Sequence, residues 1–233
     1  MTIPAMVTLL LIIGSDLYGF QLPSTLPAPG EVVTRFESHG QSALQTLVNF
    51  GRVTNTPIGI VISDGALCDQ TVDVISEGEK AEVVTADILS TIPTYKWSVQ
   101  DKVVVVEPRE PSGYLTQLLQ ISIPQFAAPV ETLQGQNISL WMFIHAEVVK
   151  QGGAGASVQS SFDEQKAAPI EMRDSSVVAI LNRIISRKPK GLWIIPPLKE
   201  PLASAIRQPP SKILTYGEPL PRPELFSSCE PLK

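Results

Sequence analysis

The feature that most constrains the fold lies between residues 32 and 108. In this stretch, short apolar runs alternate regularly with longer segments in which the apolar residues recur at helical spacing. Helical spacing predicts amphipathic helices at residues 41–50 and 79–91. The short apolar or alternating runs, most of which end at turn-forming residues, predict strands. These strands cover residues 32–36, 58–62, 72–76, 95–99 and 103–106. The order β-α-β-β-α-β-β predicts an α+β fold in which two helices pack on a small sheet.

The segment that follows this unit has weaker signals. Residues 115–126 contain a strand-like alternation at Leu119, Ile121 and Ile123, which predicts a strand. Apolar residues within 140–148 share one helical face, and Asn137 or Ser139 is expected to cap that helix. Trp141 lies off this face, so two interpretations stay open for its side chain: packing in the core or exposure as an interface anchor.

A third segment repeats the strand-helix-strand pattern. Residues 170–172 predict a short strand, Asp174 is expected to cap a helix over 177–184, and residues 192–195 predict a buried strand. We therefore predict a second α+β module at residues 111–200 that is a diverged repeat of the first module at 31–110.

The two ends of the chain differ from its middle. Residues 5–14 are almost wholly apolar, but ten residues are too few to span a bilayer, so we predict a signal peptide over 1–20. The alternative is a first buried helix or strand, because no Lys or Arg precedes the apolar run. Residues 21–30 contain three prolines and predict an extended leader. Seven prolines in residues 201–233 predict an irregular tail without a helix. No later segment is apolar over the ~18 residues that a membrane-spanning helix needs.

Charge is unevenly distributed along the chain. The net charge is −5, of which residues 30–110 contribute −6, residues 111–233 contribute +2 and Asp16 contributes −1. Neither half carries the basic stripe that nucleic-acid binding requires, so no nucleic-acid partner is expected. The acidic half is a candidate surface for a basic protein partner, and the alternative is an ordinary solvated face. The candidate residues are Asp64, Asp69, Asp73, Glu77, Glu79 and Glu82.

The residues that could support catalysis are few. His39 and His145 are the only histidines, too few for a histidine-built metal site. No G-x-S-x-G elbow occurs, and the glycine-rich stretch 152–155 lacks the Lys-Ser/Thr of a phosphate loop. We therefore predict a protein without enzymatic activity, metal or cofactor.

The two cysteines fit export without requiring it. Cys68 and Cys229 lie far apart and form no CxxC motif, which argues against a redox motif or a zinc knuckle. In an oxidising compartment they could form one disulfide that ties the tail to the body. The alternative is a pair of free thiols.

The first unit resembles a known family. Residues 42–47, 58–61, 72–74, 86–89 and 95–108 are similar, in this order, to the helices and strands of the secretin and TonB N-terminus domain. The resemblance covers about a third of the chain, and neither the secretin pore nor the receptor barrel is recognisable in the remaining sequence. It implies a binding or docking module of the bacterial envelope.

The expectation from the sequence is an exported protein, periplasmic or secreted, that acts through contacts with protein partners of the cell envelope. The alternative is an assembly component that associates with copies of itself. A hydrolase is the least favoured interpretation, because the chain offers so few candidate acids and bases.

Overall fold

The computed structural model describes residues 32–111, 113–129, 131–150, 166–186, 190–195, 197 and 214–216. These residues form both helices and strands, which confirms the predicted α+β class. The helices are α1 (Ala43–Thr54), α2 (Ala66–Asp69), α3 (Ala81–Leu89), α4 (Gly113–Gln120), α5 (Leu133–Lys150) and α6 (Val177–Ile185). The strands of the first half are β1 (Val32–Val33), β2 (Phe36–Ser42), β3 (Ile58–Val61), β4 (Thr71–Ser76), β5 (Glu79–Lys80), β6 (Tyr95–Gln100) and β7 (Val103–Pro108). Those of the second half are β8 (Ser122–Ala128), β9 (Glu131–Thr132), β10 (Lys166–Ala167), β11 (Ile170–Ser176), β12 (Leu192–Ile195) and β13 (Leu214–Tyr216).

A five-stranded sheet forms the middle of the protein, in the order β13-β12-β3-β7-β6. Strand β3 lies parallel to both β12 and β7, whereas β13 and β6 pair antiparallel at the two ends. The sheet therefore combines strands of the first unit with one strand, β12, from the segment assigned to the second module. Asp101 and Lys102, both with positive φ, make the tight turn between β6 and β7, as expected for a two-residue hairpin.

The two faces of this sheet carry separate hydrophobic clusters. Val104 and Val106 of β7 point to one face, where α1 and α3 pack, and Val103 and Val105 point to the other, where α4, α5 and α6 pack. The apolar spacing of the first unit predicts a core of eight residues: Leu44, Leu47, Ile60, Val84, Ile88, Leu89, Trp97 and Val105. The first six are all buried in the first cluster. Of the other two, Trp97 is only partly buried and Val105 belongs to the opposite face.

Backbone elements of the first half recur in the second half at a constant spacing of 134 residues, from β1-β2-α1-β3 to β10-β11-α6-β12. The pairs at this spacing are Val32 and Lys166, Phe36 and Ile170, Ala43 and Val177, and Ile58 and Leu192. The elements β8-β9-α5 correspond to β4-β5-α3, because β11 pairs with β8 and β10 with β9, as β2 pairs with β4 and β1 with β5. In the first half of the chain β1-β2-α1-β3 come before β4-β5-α3. In the second half the corresponding elements β10-β11-α6-β12 come after β8-β9-α5.

Serine side chains begin the two equivalent helices. Ser42 accepts a hydrogen bond from the backbone N–H of Gln45 at 3.2 Å, and Ser176 accepts one from Ala179 at the same distance. The sequence offers Ser42 or Ser38 as the cap of α1, and the structure uses Ser42. The predicted cap at Asp174 is wrong: this residue lies inside β11 with φ 45°, and the cap is Ser176, two residues later.

Two predictions for the middle segment are also wrong. The strand predicted at 115–126 begins only at Ser122, because Leu115 and Leu118 are buried three residues apart on the helix α4. Helix α5 begins at Leu133, so Asn137 and Ser139 lie inside it and not at its N-cap position. Trp141 is 4% exposed, which excludes its interpretation as an exposed anchor.

The described part of the proline-rich tail is a strand. Residues 214–216 pair with β12, although the sequence predicted an irregular tail. The stretch between Pro210 and Pro219 contains no proline, so its backbone can supply the N–H groups that a ladder needs.

Candidate binding edge

Strand β6 is the edge of the central sheet, and the pairing with β7 fixes which way its backbone groups point. The N–H of Arg109 donates to the carbonyl of Thr94 at 2.8 Å, which makes Thr94 and Arg109 a hydrogen-bonded pair. The N–H of Val104 donates to Pro57 at 3.0 Å, away from β6, so Val99 and Val104 form a non-hydrogen-bonded pair. Both observations give the same alternation of hydrogen-bonded and non-hydrogen-bonded residues along β6.

The alternation leaves backbone groups on the outer side of β6. Lys96, Ser98 and Gln100 direct their N–H and C=O groups toward β7, and Trp97 and Val99 direct theirs to the opposite side. Among the described residues no strand pairs with that side. Trp97 and Val99 therefore present two N–H and two C=O groups to a strand from elsewhere.

A groove of about 480 Å³ lies beside this edge. Its lining residues come from the end of α3, the loop that follows, β6 and the end of β7. They are Ala86, Leu89, Ser90, Pro93, Tyr95, Lys96, Trp97 and Arg109. The groove combines apolar and polar lining side chains with an open strand edge, an arrangement that suits an extended peptide.

Tyr95 fixes the start of β6. Its ring is 2% exposed, and its hydroxyl lies 3.1 Å from the backbone N of Ser63, which donates to it, and 3.3 Å from Asp64 Oδ1. Burial raises the pKa of the Tyr95 phenol above its ordinary value. The neutral hydroxyl can thus donate to Asp64 while it accepts from Ser63, which holds the edge strand in place.

The six acidic residues of the predicted binding surface lie on several elements. Asp64 precedes α2 and Asp69 ends it, Asp73 is on β4, Glu77 follows β4, Glu79 is in β5 and Glu82 is in the first turn of α3. Within the described part of the chain, no three acidic, histidine or cysteine side chains gather as a metal site.

Two of these acids have local structural contacts. The carboxylate of Asp73 accepts the backbone N–H of Gly40 at 2.9 Å, where β2 shifts register against β4. Asp64 accepts the N–H of Ala66 at 3.0 Å, at the start of α2. The proposal that the six residues form a partner surface stays a prediction.

His39 lies between two carboxylates on the outer face of β2. Its Nε2 donates to Glu37 Oε1 at 2.8 Å, and its Nδ1 lies 3.6 Å from Asp73 Oδ1. The hydrogen bond to Glu37 raises the pKa of His39, and the same bond, with help from Arg35, lowers the pKa of Glu37.

Replacing Glu37 with glutamine is expected to lower the pKa of His39, because the strongest interaction with the protonated ring is lost. The raised pKa means that this interaction favours the folded state fully below the unfolded histidine pKa, and the contribution disappears as pH rises through the folded pKa. NMR titration of the ring resonances measures the shift, and salt should reduce it, since the group is exposed. Glu110→Gln, at an exposed position after β7, is the control. An identical His39 titration in Glu37→Gln would contradict the assignment.

The remaining predicted residues have no visible role in a site. His145 is half-buried on α5, and Cys68 is buried in α2 and is not a free thiol. Cys229, the glycine-rich stretch 152–155 and the predicted signal peptide lie outside the described residues, so the disulfide between Cys68 and Cys229 stays a prediction. No helix in the described ranges is long and apolar enough to cross a membrane.

Comparison with family models, curated proteins and solved structures finds no match to this chain. The resemblance to the secretin and TonB N-terminus domain therefore stays a prediction from the sequence.

Proposed function

We propose that this protein is an exported binding protein that captures an extended segment of a partner protein along β6, without catalysis. The observation that carries the proposal is the outward-facing backbone of Trp97 and Val99 beside the groove. A strand that pairs with these groups would gain main-chain hydrogen bonds, and its alternate side chains would meet the groove.

The composition of β6 supports a binding role for its edge. Proteins usually protect an open edge strand with charges, prolines or a covering element, because it pairs readily with other chains. Strand β6 contains no proline and a single charge, Lys96, whose ammonium lies 3.2 Å from Glu107 of the neighbouring strand. Val99, at 37% exposure, adds an apolar side chain close to the open groups.

Export is the second part of the proposal and rests on the sequence alone. The apolar residues 5–14 and the proline-rich leader after them fit a signal peptide, which would place the protein in the periplasm or outside the cell. The partner would then be a protein of the cell envelope. The same open edge also favours a second candidate, in which β6 pairs with β6 of another copy in a symmetric assembly.

Replacing Val99 with proline tests the binding edge. Proline removes the outward N–H of Val99, while the ladder to β7 uses only Ser98 and Gln100 on either side. Val99→Ala is the matched control, since it shortens the same side chain and keeps the N–H. We expect wild type and Val99→Ala to recover a partner from an extract of the native host, and Val99→Pro to recover at least about tenfold less. Both variants should melt close to wild type.

Equal partner recovery by Val99→Pro and Val99→Ala would exclude β6 as the binding edge. Charge reversal of Asp69, Glu77 and Glu82 to lysine, in the same experiment, asks whether the acidic residues bind the partner instead. Saturable turnover of a small substrate would overturn the non-catalytic part of the proposal.

A further inference from the structure

The groove beside β6 differs in charge from the unit that surrounds it. Residues 30–110 carry −6, yet the lining contains two cations, Lys96 and Arg109, and no acid among the described residues. Lys96 is paired with Glu107 at 3.2 Å. Arg109 therefore supplies the uncompensated charge of the groove.

The guanidinium of Arg109 is held at the groove by one hydrogen bond, and its other N–H donors make none within the described part of the chain. Its Nε donates to the carbonyl of Pro93 at 3.0 Å, a contact that fixes the side chain against the loop after α3. Its terminal NH₂ groups make no hydrogen bond within the described part of the chain, and the residue is exposed. Those groups can form the charge-assisted hydrogen bonds that guanidinium makes with carboxylates.

The rest of the lining is mostly apolar. Ala86 and Leu89 of α3, Pro93 of the loop and the partly buried Trp97 form a wall on the face of the sheet where α3 packs. A residue paired opposite Trp97 on an added strand would send its side chain to this face, because directly opposed residues share a face. The next side chain on the same face lies two residues along, roughly 7 Å away.

We propose, on the basis of the binding function inferred above, that the captured segment is acidic: it carries an apolar side chain that enters the groove against Leu89 and Trp97, and a carboxylate two residues away that pairs with Arg109. Arg109 follows β7 opposite Thr94, and its Nε reaches the carbonyl of Pro93 in the loop that lines the groove, so the guanidinium lies at the Tyr95 end of the edge and the carboxylate must lie toward that end. The charge complementarity with a single exposed guanidinium selects an acidic segment over a neutral or basic one.

Three fluorescent, terminally blocked peptides of alternating threonine and leucine test the inference. They differ only at one position two residues from the central leucine, which holds glutamate, glutamine or lysine. Fluorescence anisotropy with the full chain should show the glutamate peptide binding about fivefold more tightly than the glutamine peptide, and the lysine peptide binding most weakly. The preference should decrease as ionic strength rises.

Arg109→Gln should remove the preference for glutamate, so that the glutamate and glutamine peptides bind this variant with similar affinity. Arg52→Gln, at an exposed arginine in the last turn of α1, is the matched control and should keep the preference.

Equal binding of the three peptides to the wild type would overturn the acidic-segment inference, while a loss of all binding in Val99→Pro would still support the edge. Peptide binding that Val99→Pro does not affect would instead remove the proposed function. A dimer in sedimentation velocity that Val99→Pro dissociates, without peptide binding, would assign the edge to a second copy and overturn the inference.

Discussion

Gly59→Ala is expected to lower the free energy of unfolding by about 3 kcal/mol or more, at the upper end of the range for overpacked cores. A Cβ atom at position 59 would overlap the indole ring of Trp193 on the neighbouring strand β12. The ring has no space to move, since it is fully buried and its Nε1 donates to Asn182 Oδ1 at 2.9 Å. Chemical denaturation followed by far-UV circular dichroism measures the loss.

Gly113→Ala is the matched control for this prediction, because a Cβ atom there meets no atom within 4 Å. The double variant Gly59→Ala/Trp193→Leu should be more stable than the sum of its single variants implies, since the smaller side chain gives the new methyl group room. If Gly59→Ala were as stable as the wild type, β3 and β12 would not be neighbours as described.

Leu47→Ala is expected to lower the free energy of unfolding by about 2–5 kcal/mol. Leu47 has no exposed surface and lies in the cluster between α1 and the central sheet, so truncation removes buried methyl groups and leaves a cavity. Thermal and chemical denaturation of the full chain measure the change.

Val53→Ala provides the control on the same helix. Val53 is 52% exposed, so the substitution removes little buried surface, and alanine has the higher helix propensity. We expect its stability to stay within about 0.5 kcal/mol of the wild type. An unchanged melting temperature in Leu47→Ala would show that the helix is wrongly placed.

Much of the first unit could be predicted because its signals are local. The apolar spacing of α1, the serine that caps it and the turn at Asp101 and Lys102 each involve residues close in sequence. Boundaries were less accurate: α3 is shorter than predicted, and the short elements α2 and β5 were missed. Elements of two to four residues contain too few side chains for a periodic pattern.

Long-range contacts were the main feature that the sequence could not predict. The parallel pairing of β3 with β12 depends on Gly59 leaving space for Trp193, two residues far apart in the chain. Trp141 lies off the simple apolar face of α5 yet is buried, because its surroundings come from several elements. Only tertiary packing decides such cases.

The open backbone groups of β6 have a signal in the sequence. Pro108 has no N–H, so its partner in the hairpin, Tyr95, must belong to a non-hydrogen-bonded pair. Counting from Tyr95 in steps of two identifies Trp97 and Val99 as the residues whose backbone N–H and C=O groups point away from β7. The groove itself could not be predicted, because Ala86 and Arg109 approach β6 only after α3 packs on the sheet.

Backbone amide hydrogen exchange, measured by NMR on the full chain with and without the glutamate peptide, tests the binding edge most directly. In the free protein we predict slow exchange at Lys96, Ser98 and Gln100, whose N–H groups bond to β7, and fast exchange at Trp97 and Val99. With the peptide, the amides of Trp97 and Val99 should become protected, and the other three should change little. Protection of Trp97 and Val99 in the free protein, or no change at either amide when the peptide is bound, would contradict the account of β6 as an open binding edge.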